Sequence, residues 1–215
     1  MALRPQQQQY EMPASQVLAQ ESASAFMAKV YRWMVAGLAL SAGTAWVVAS
    51  SNELFSIVRG LYLPLVIGQL VVVFAFSMLA RRLNAVLAGA MFLGYSFLSG
   101  LTFSAIFFVY NLPSITTAFL VTAGMFGALS LYGTVTKKDL SSWGTFLFMG
   151  LIGIIIASVV VFAGLTAYDT QKLREMHASS GYASEGSLAI NGALVLYLDF
   201  INLFLALLRL LGSRR

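Results

Sequence analysis

The sequence predicts an all-α polytopic membrane protein, and three observations carry that expectation. Of its 215 residues, 59% are hydrophobic and 10% charged, with a mean hydropathy of +0.83; a soluble globular domain carries about a quarter charged residues. The apolar residues fall in runs of the length, about 20 residues, that crosses a bilayer as a helix. The Lys and Arg residues behind the net charge of +5 sit between those runs, as residues that fix orientation against anionic lipid do.

The same features exclude several classes of function. The basic residues do not form a patch with interleaved aromatics, so no nucleic-acid partner is expected. The chain has no cysteine, which removes disulfide frameworks and thiolate metal sites, and its one histidine, His177, removes histidine-cluster metal chemistry. No cofactor is expected, and no enzymatic activity.

Residues 1–28 are polar and Gln-rich and contain Pro5 and Pro13, so they read as a disordered cytoplasmic tail ahead of a bundle over 29–215. The first span, 33–50, follows Lys29 and Arg32, which by the positive-inside rule places the tail in the cytoplasm. Gly37, Ser41, Ala45 and Ala49 recur every fourth residue and give that span a face that another helix can approach closely. The second span, 61–80, has Pro64 near its start, where a missing N–H costs little, and closes on Arg81 and Arg82, whose simplest role is interfacial anchoring.

A third run, 84–110, contains Ser96, Gly100 and Ser104, again small residues. Asn111, Pro113 and Ser114 mark a turn and a helix start before the fourth span, 115–135. Lys137, Lys138 and Asp139 follow in a loop expected to be cytoplasmic. From 140 to 168 there is no charge, but two crossings would need about 40 residues and a turn, so the sequence predicts one span, roughly 43 Å long if straight. A polar connector holding His177 leads to the last span, 187–211. With six spans, the amino and carboxy ends share one side of the membrane.

Two carboxylates lie in otherwise apolar sequence: Asp169 in Leu-Thr-Ala-Tyr-Asp-Thr-Gln-Lys-Leu and Asp199 in Leu-Tyr-Leu-Asp-Phe-Ile-Asn-Leu-Phe. An intramembrane acid costs several kcal/mol if charged and marks a functional site by default. At about 100° per residue, Asn191, Asp199, Asn202 and Arg209 share one stripe of the last helix. As a helix–helix seam the stripe is ordinary glue; as the lining of a wet path it makes Asp199 the titrating group, and so many costly residues favour the second reading.

These two motifs closely resemble those of the Bax inhibitor-1 (transmembrane Bax inhibitor motif) family, in its bacterial branch. The resemblance runs from Lys29 to Arg215 and includes Val-Tyr-Arg-Trp-Met near the start and Thr-Ala-Gly-Met-Phe-Gly-Ala-Leu-Ser-Leu-Tyr-Gly in the middle. It implies a helical bundle in a bacterial inner membrane and a pH-sensitive leak for cations, calcium being the ion proposed for the family. It also implies that Asp169 and Asp199 approach each other, and that an arginine, Arg82 or else Arg81, pairs with the first acid to hold the path shut. Family members have two helices where 140–168 allows one, so the usual seven spans become six here.

Two carboxylates that meet in a low dielectric cannot both ionise comfortably, so the pair shares a proton. Losing it leaves repelling charges that part helices and admit water and a cation; Arg82 or Arg209 can stabilise one of the two states. Asp169 and Asp199 offer far fewer oxygens than the 6–8 of a tight Ca²⁺ site, so the metal contact is weak and transient. Two other classes compete. Paired intramembrane aspartates are also the catalytic device of aspartyl proteases, but the second acid here lacks their Gly-x-Gly-Asp setting. A non-conducting regulator that binds another membrane protein would use the acids only for packing.

Overall fold

A computed structural model describes residues 14–79, 82–136, 139–140, 157–176 and 184–213. They form α1 (Ala14–Ala49), α2 (Asn52–Gly60), α3 (Tyr62–Leu79), α4 (Ala85–Phe103), the short α5 (Ile106–Val109), α6 (Leu112–Val135), α7 (Ala157–Met176) and α8 (Glu185–Leu211). Among the described residues, five stretches are long and apolar enough to cross a membrane: Ala23–Ala49, Tyr62–Leu79, Ala85–Val109, Leu112–Val135 and Glu185–Leu211. The fold is an all-α polytopic membrane protein. Side-chain caps set several helix starts, since a free backbone N–H in the first turn needs an acceptor. Asn84 accepts from Leu87 N–H at 2.8 Å, Asn111 from Ser114 N–H at 2.9 Å with Pro113 in the first turn, and Ser184 from Ser187 N–H at 3.1 Å.

The last helix in the sequence is the middle of the bundle. α1, α4, α6 and α7 all pack against α8, and Leu196, Tyr197, Asp199, Phe200 and Leu203 are buried along its centre. α3 lies outside, on α4, with most of its apolar side chains exposed; in a bilayer those faces meet lipid. Its Gln69 amide donates to the Leu98 carbonyl and the Thr102 hydroxyl, both at 3.0 Å, so its polar group is satisfied inside the protein.

Side-chain contacts fix the directions of the helices. Lys29 pairs with Glu185 at 2.8 Å, and further along the same two helices Ser41 meets Tyr197, so α1 and α8 run parallel. Thr170 reaches Ser130 at 3.4 Å and Arg174 donates to the Thr134 carbonyl, so α6 and α7 run parallel to each other. Both are antiparallel to α8: Phe119 packs on Phe204, and Phe126 on Phe200. The carboxy end is tied to the start of α6, where Ser213 N–H donates to Ser114 Oγ at 3.0 Å.

Two expectations from sequence are corrected. The 1–28 tail is helical from Ala14, and Phe26 and Met27 are buried with Val30 in the core, so the bundle starts well before Lys29. The apolar residues that anchor this segment are spaced among Ser, Gln and Glu, which lowers its mean hydropathy without removing its packing face. The single span over 140–168 fails on one contact: Leu140 N–H donates to the Gln171 side chain at 3.0 Å, whereas a continuous helix would hold those residues roughly 46 Å apart. Residues 141–156 lie outside the described set. With Leu140, Arg174 and Glu185 at the Lys29 end, the carboxy end of α8 lies at the opposite end of the bundle, not beside the start of α1.

Gly133 makes the α6–α7 seam possible, because a Cβ there would collide with the Ala167 carbonyl. Gly100 does the same for α1 and α4, with Ser41 O only 2.6 Å from where its Cβ would stand. Small residues that let backbones approach are the usual basis of helix packing in membranes. Gly133→Ala is expected to destabilise the protein by about 1–3 kcal/mol, the cost of overpacking, read as a lower midpoint in thermal unfolding in detergent. The chain has no native cysteine; in oriented vesicles, Glu175→Cys and Ser213→Cys should react with a membrane-impermeant thiol reagent from opposite sides.

Candidate functional site: a buried acid pair between α7 and α8

Antiparallel packing brings α7 and α8 together at two levels: Leu173 lies against Gly192, and seven residues along α8 the side chains of Asp199 and Asp169 lie near enough to interact. Asp199 is 7% exposed; Asp169 is partly buried. No N–H or hydroxyl donor among the described residues reaches the buried Oδ2 of Asp199. A hydrogen bond between two carboxyl groups needs a proton on one of them. Within the pair, a proton on one carboxyl group is the donor that such a bond would use.

The surroundings explain why the acids meet. Thr170 is fully buried beside Asp169, donating to the Thr166 carbonyl at 2.7 Å, and Phe200, next to Asp199, packs edge-on against Phe119 and Phe126. Lys172 lies 5.6 Å over the Tyr168 ring. Neither Arg82 nor Arg209 forms an ion pair with either acid among the described residues; both are exposed, Arg82 just ahead of α4 and Arg209 in the last turn of α8. Arg81 lies outside the described residues. Asn191 and Asn202 are partly buried on α8.

A second polar cluster, on the opposite side of α8, is absent from the reading of the sequence. Tyr197 is fully buried, 2.7 Å from the Ser41 hydroxyl, which donates to the Ser96 carbonyl at 2.7 Å. The Tyr197 ring packs edge-on against Phe92 and Tyr95. Asp199 is the second residue after Tyr197, about 200° around the helix, so α8 offers a hydroxyl to α1 and α4 and a carboxyl to α7. A Tyr at mid-span, whose hydroxyl must find a partner away from water, is the signal that points to this cluster.

The arrangement defines a polytopic helical membrane protein whose central helix holds one of two paired acids. The family model described as inhibitor of apoptosis-promoting Bax1 matches residues 23–161 and 157–215. The chain belongs to this family, the Bax inhibitor-1 family. It is 48% identical over 210 residues to an uncharacterized protein of Deinococcus radiodurans, covering 88% of this chain and 90% of that one. It is 46% identical over 215 residues to the inner membrane protein YbhL of Escherichia coli K12, covering 88% and 92%, and 39% identical over 214 residues to an uncharacterized protein of Borreliella burgdorferi, covering 88% and 92%.

Tyr197→Phe and Ser41→Ala each remove one end of the buried hydroxyl contact. In a double-mutant cycle their coupling should be about 0.6 kcal/mol, the mean for hydrogen bonds inside membrane proteins, measured by reversible unfolding in detergent micelles.

Proposed function

We propose that this protein is a pH-sensitive cation leak of a bacterial inner membrane, with calcium the leading permeant ion, gated by the proton that Asp169 and Asp199 share. The observation that carries the reading is the buried contact between two acids with no other donor for Asp199 Oδ2. With one proton the pair is a neutral-plus-charged unit held by a hydrogen bond, and it pins α7 to α8. With none, two like charges face each other in a medium that screens them poorly, so the helices part, water enters, and the carboxylates give a passing cation weak, transient coordination. Arg82, Arg81 and Arg209 enter this reading as partners for whichever acid is left charged.

Orientation follows from charge. Lys29, Arg32, Arg82 and Arg174 cluster at the end where α1, α4 and α8 begin and α7 ends, against Arg59 and Arg209 at the other. By the positive-inside rule the first end faces the cytoplasm, and the amino terminus with it. The inner-membrane placement is supported by the printed name of the Escherichia coli relative.

Flux tests the proposal. Liposomes holding purified protein should release trapped Ca²⁺ faster as pH rises through the titration of the pair, because deprotonation opens the seam. Asp199→Asn donates an amide hydrogen to Asp169 at any pH, so this variant should leak slowly with the pH dependence gone. Silence of the wild-type protein at every pH would favour a non-conducting regulator of another membrane protein; cleavage of a helical substrate without leak would favour proteolysis.

A further inference from the structure

A groove of about 1270 Å³ runs between α1 and α6, which flank it, with Phe200 and Arg174 among the residues of its floor. On α6 it extends from Phe119 to Thr136, roughly 26 Å, most of the thickness of a hydrocarbon core. Its two halves differ. Toward the middle of the bundle the walls are Leu38, Ala39, Ala42, Phe119 and Ala123, all apolar. Toward the Lys29 end they include Tyr31, Ser130, Thr134 and Arg174.

Arg174 gives that mouth its charge. It is partly buried, two residues from the end of α7, and is steered there by donating to the Thr134 carbonyl. Among the described residues no carboxylate pairs with it. A guanidinium held at the mouth of the groove by a protein carbonyl keeps further N–H donors for an anion, and phosphate is the anion its fork geometry suits. Basic pockets between membrane helices on the cytoplasmic side take anionic headgroups on this principle.

We propose that this groove is a binding site for an anionic phospholipid of the leaflet at the Lys29 end, with the phosphate on Arg174 and an acyl chain lying between α1 and α6. Charge and shape select this occupant together. Inorganic phosphate would satisfy Arg174 and leave the apolar half empty; a second copy of the chain would cover the apolar half and bring no anion required by the mouth. The site also touches the acid pair at one remove. Ser130 in its wall is hydrogen-bonded to Thr170, the neighbour of Asp169, and Phe200 in its floor is the neighbour of Asp199.

Native mass spectrometry of the full chain in detergent, with phosphatidylglycerol or phosphatidylcholine of identical chains added, tests this without reference to ion flux. The expected result is selective retention of phosphatidylglycerol by the wild type, a drop of about fivefold in Arg174→Gln, and partial recovery in Arg174→Lys. Ala123→Trp, which fills the apolar half and leaves Arg174 in place, should weaken the same adduct and so guards against misfolding of the arginine variants. Equal retention of the two lipids by the wild type, or retention of phosphatidylglycerol unchanged in both Arg174→Gln and Ala123→Trp, overturns the proposal. So does displacement of the lipid by millimolar inorganic phosphate, which would mean an anion site only, or a lipid-free dimer that Ala123→Trp dissociates, which would mean a second copy.

Discussion

A helix enclosed by other helices cannot hold an isolated charge, and α8 carries Asp199 among its buried residues. Every nearby feature follows from meeting that constraint from inside the protein. Asp169 is the answer that α7 supplies, and for it to arrive α7 must pack closely enough on α8 that Leu173 fits against Gly192. α7 in turn is held at α6 by the missing side chain of Gly133 and by Thr170 and Arg174 reaching Ser130 and Thr134. The meeting of the two acids thus sits at the end of a chain of close backbone approaches.

The two faces of α8 solve the same problem in different ways. Toward α1 and α4, the Tyr197 hydroxyl finds Ser41 and needs no exchangeable charge, so that side is a fixed joint. Toward α7, the neighbour is a second carboxyl group, Asp169, and on the proposed reading the contact depends on a shared proton. On that reading, the joint that yields is the one between the two acids, and the joint at Tyr197 stays in place. That asymmetry is a property of residue placement along one helix, since two positions differ by about 200° in azimuth.

The fold class was legible because hydropathy reports directly on length and burial in lipid, and the apolar runs match the helices near Tyr62–Leu79 and Leu112–Val135. Which helix lies inside was not, because lipid and protein interior are equally apolar and neither α3 nor α6 has a polar face to betray its position. For α8 only the polar residues, above all Asp199, mark it as central. The packing of Phe26 and Met27 was hidden by polar neighbours, and the close seams at Gly133 and Gly100 depend on what stands opposite, which a single sequence does not state. The 140–168 run misled for a different reason: a count of apolar residues measures how much chain can cross a membrane, not where its two ends come to rest, and the Leu140–Gln171 contact decides that.

The order of the elements has a consequence for how such a bundle comes into being. The helix that the others surround follows them in the sequence, so α1 through α7 are synthesised before the strut on which α1, α4, α6 and α7 pack exists. Until Glu185–Leu211 arrives, the Ser41 and Asp169 groups destined for it face whatever lipid, water or insertion machinery is at hand. A nascent chain stopped short of residue 185 would therefore lack the helix against which α1, α4, α6 and α7 pack.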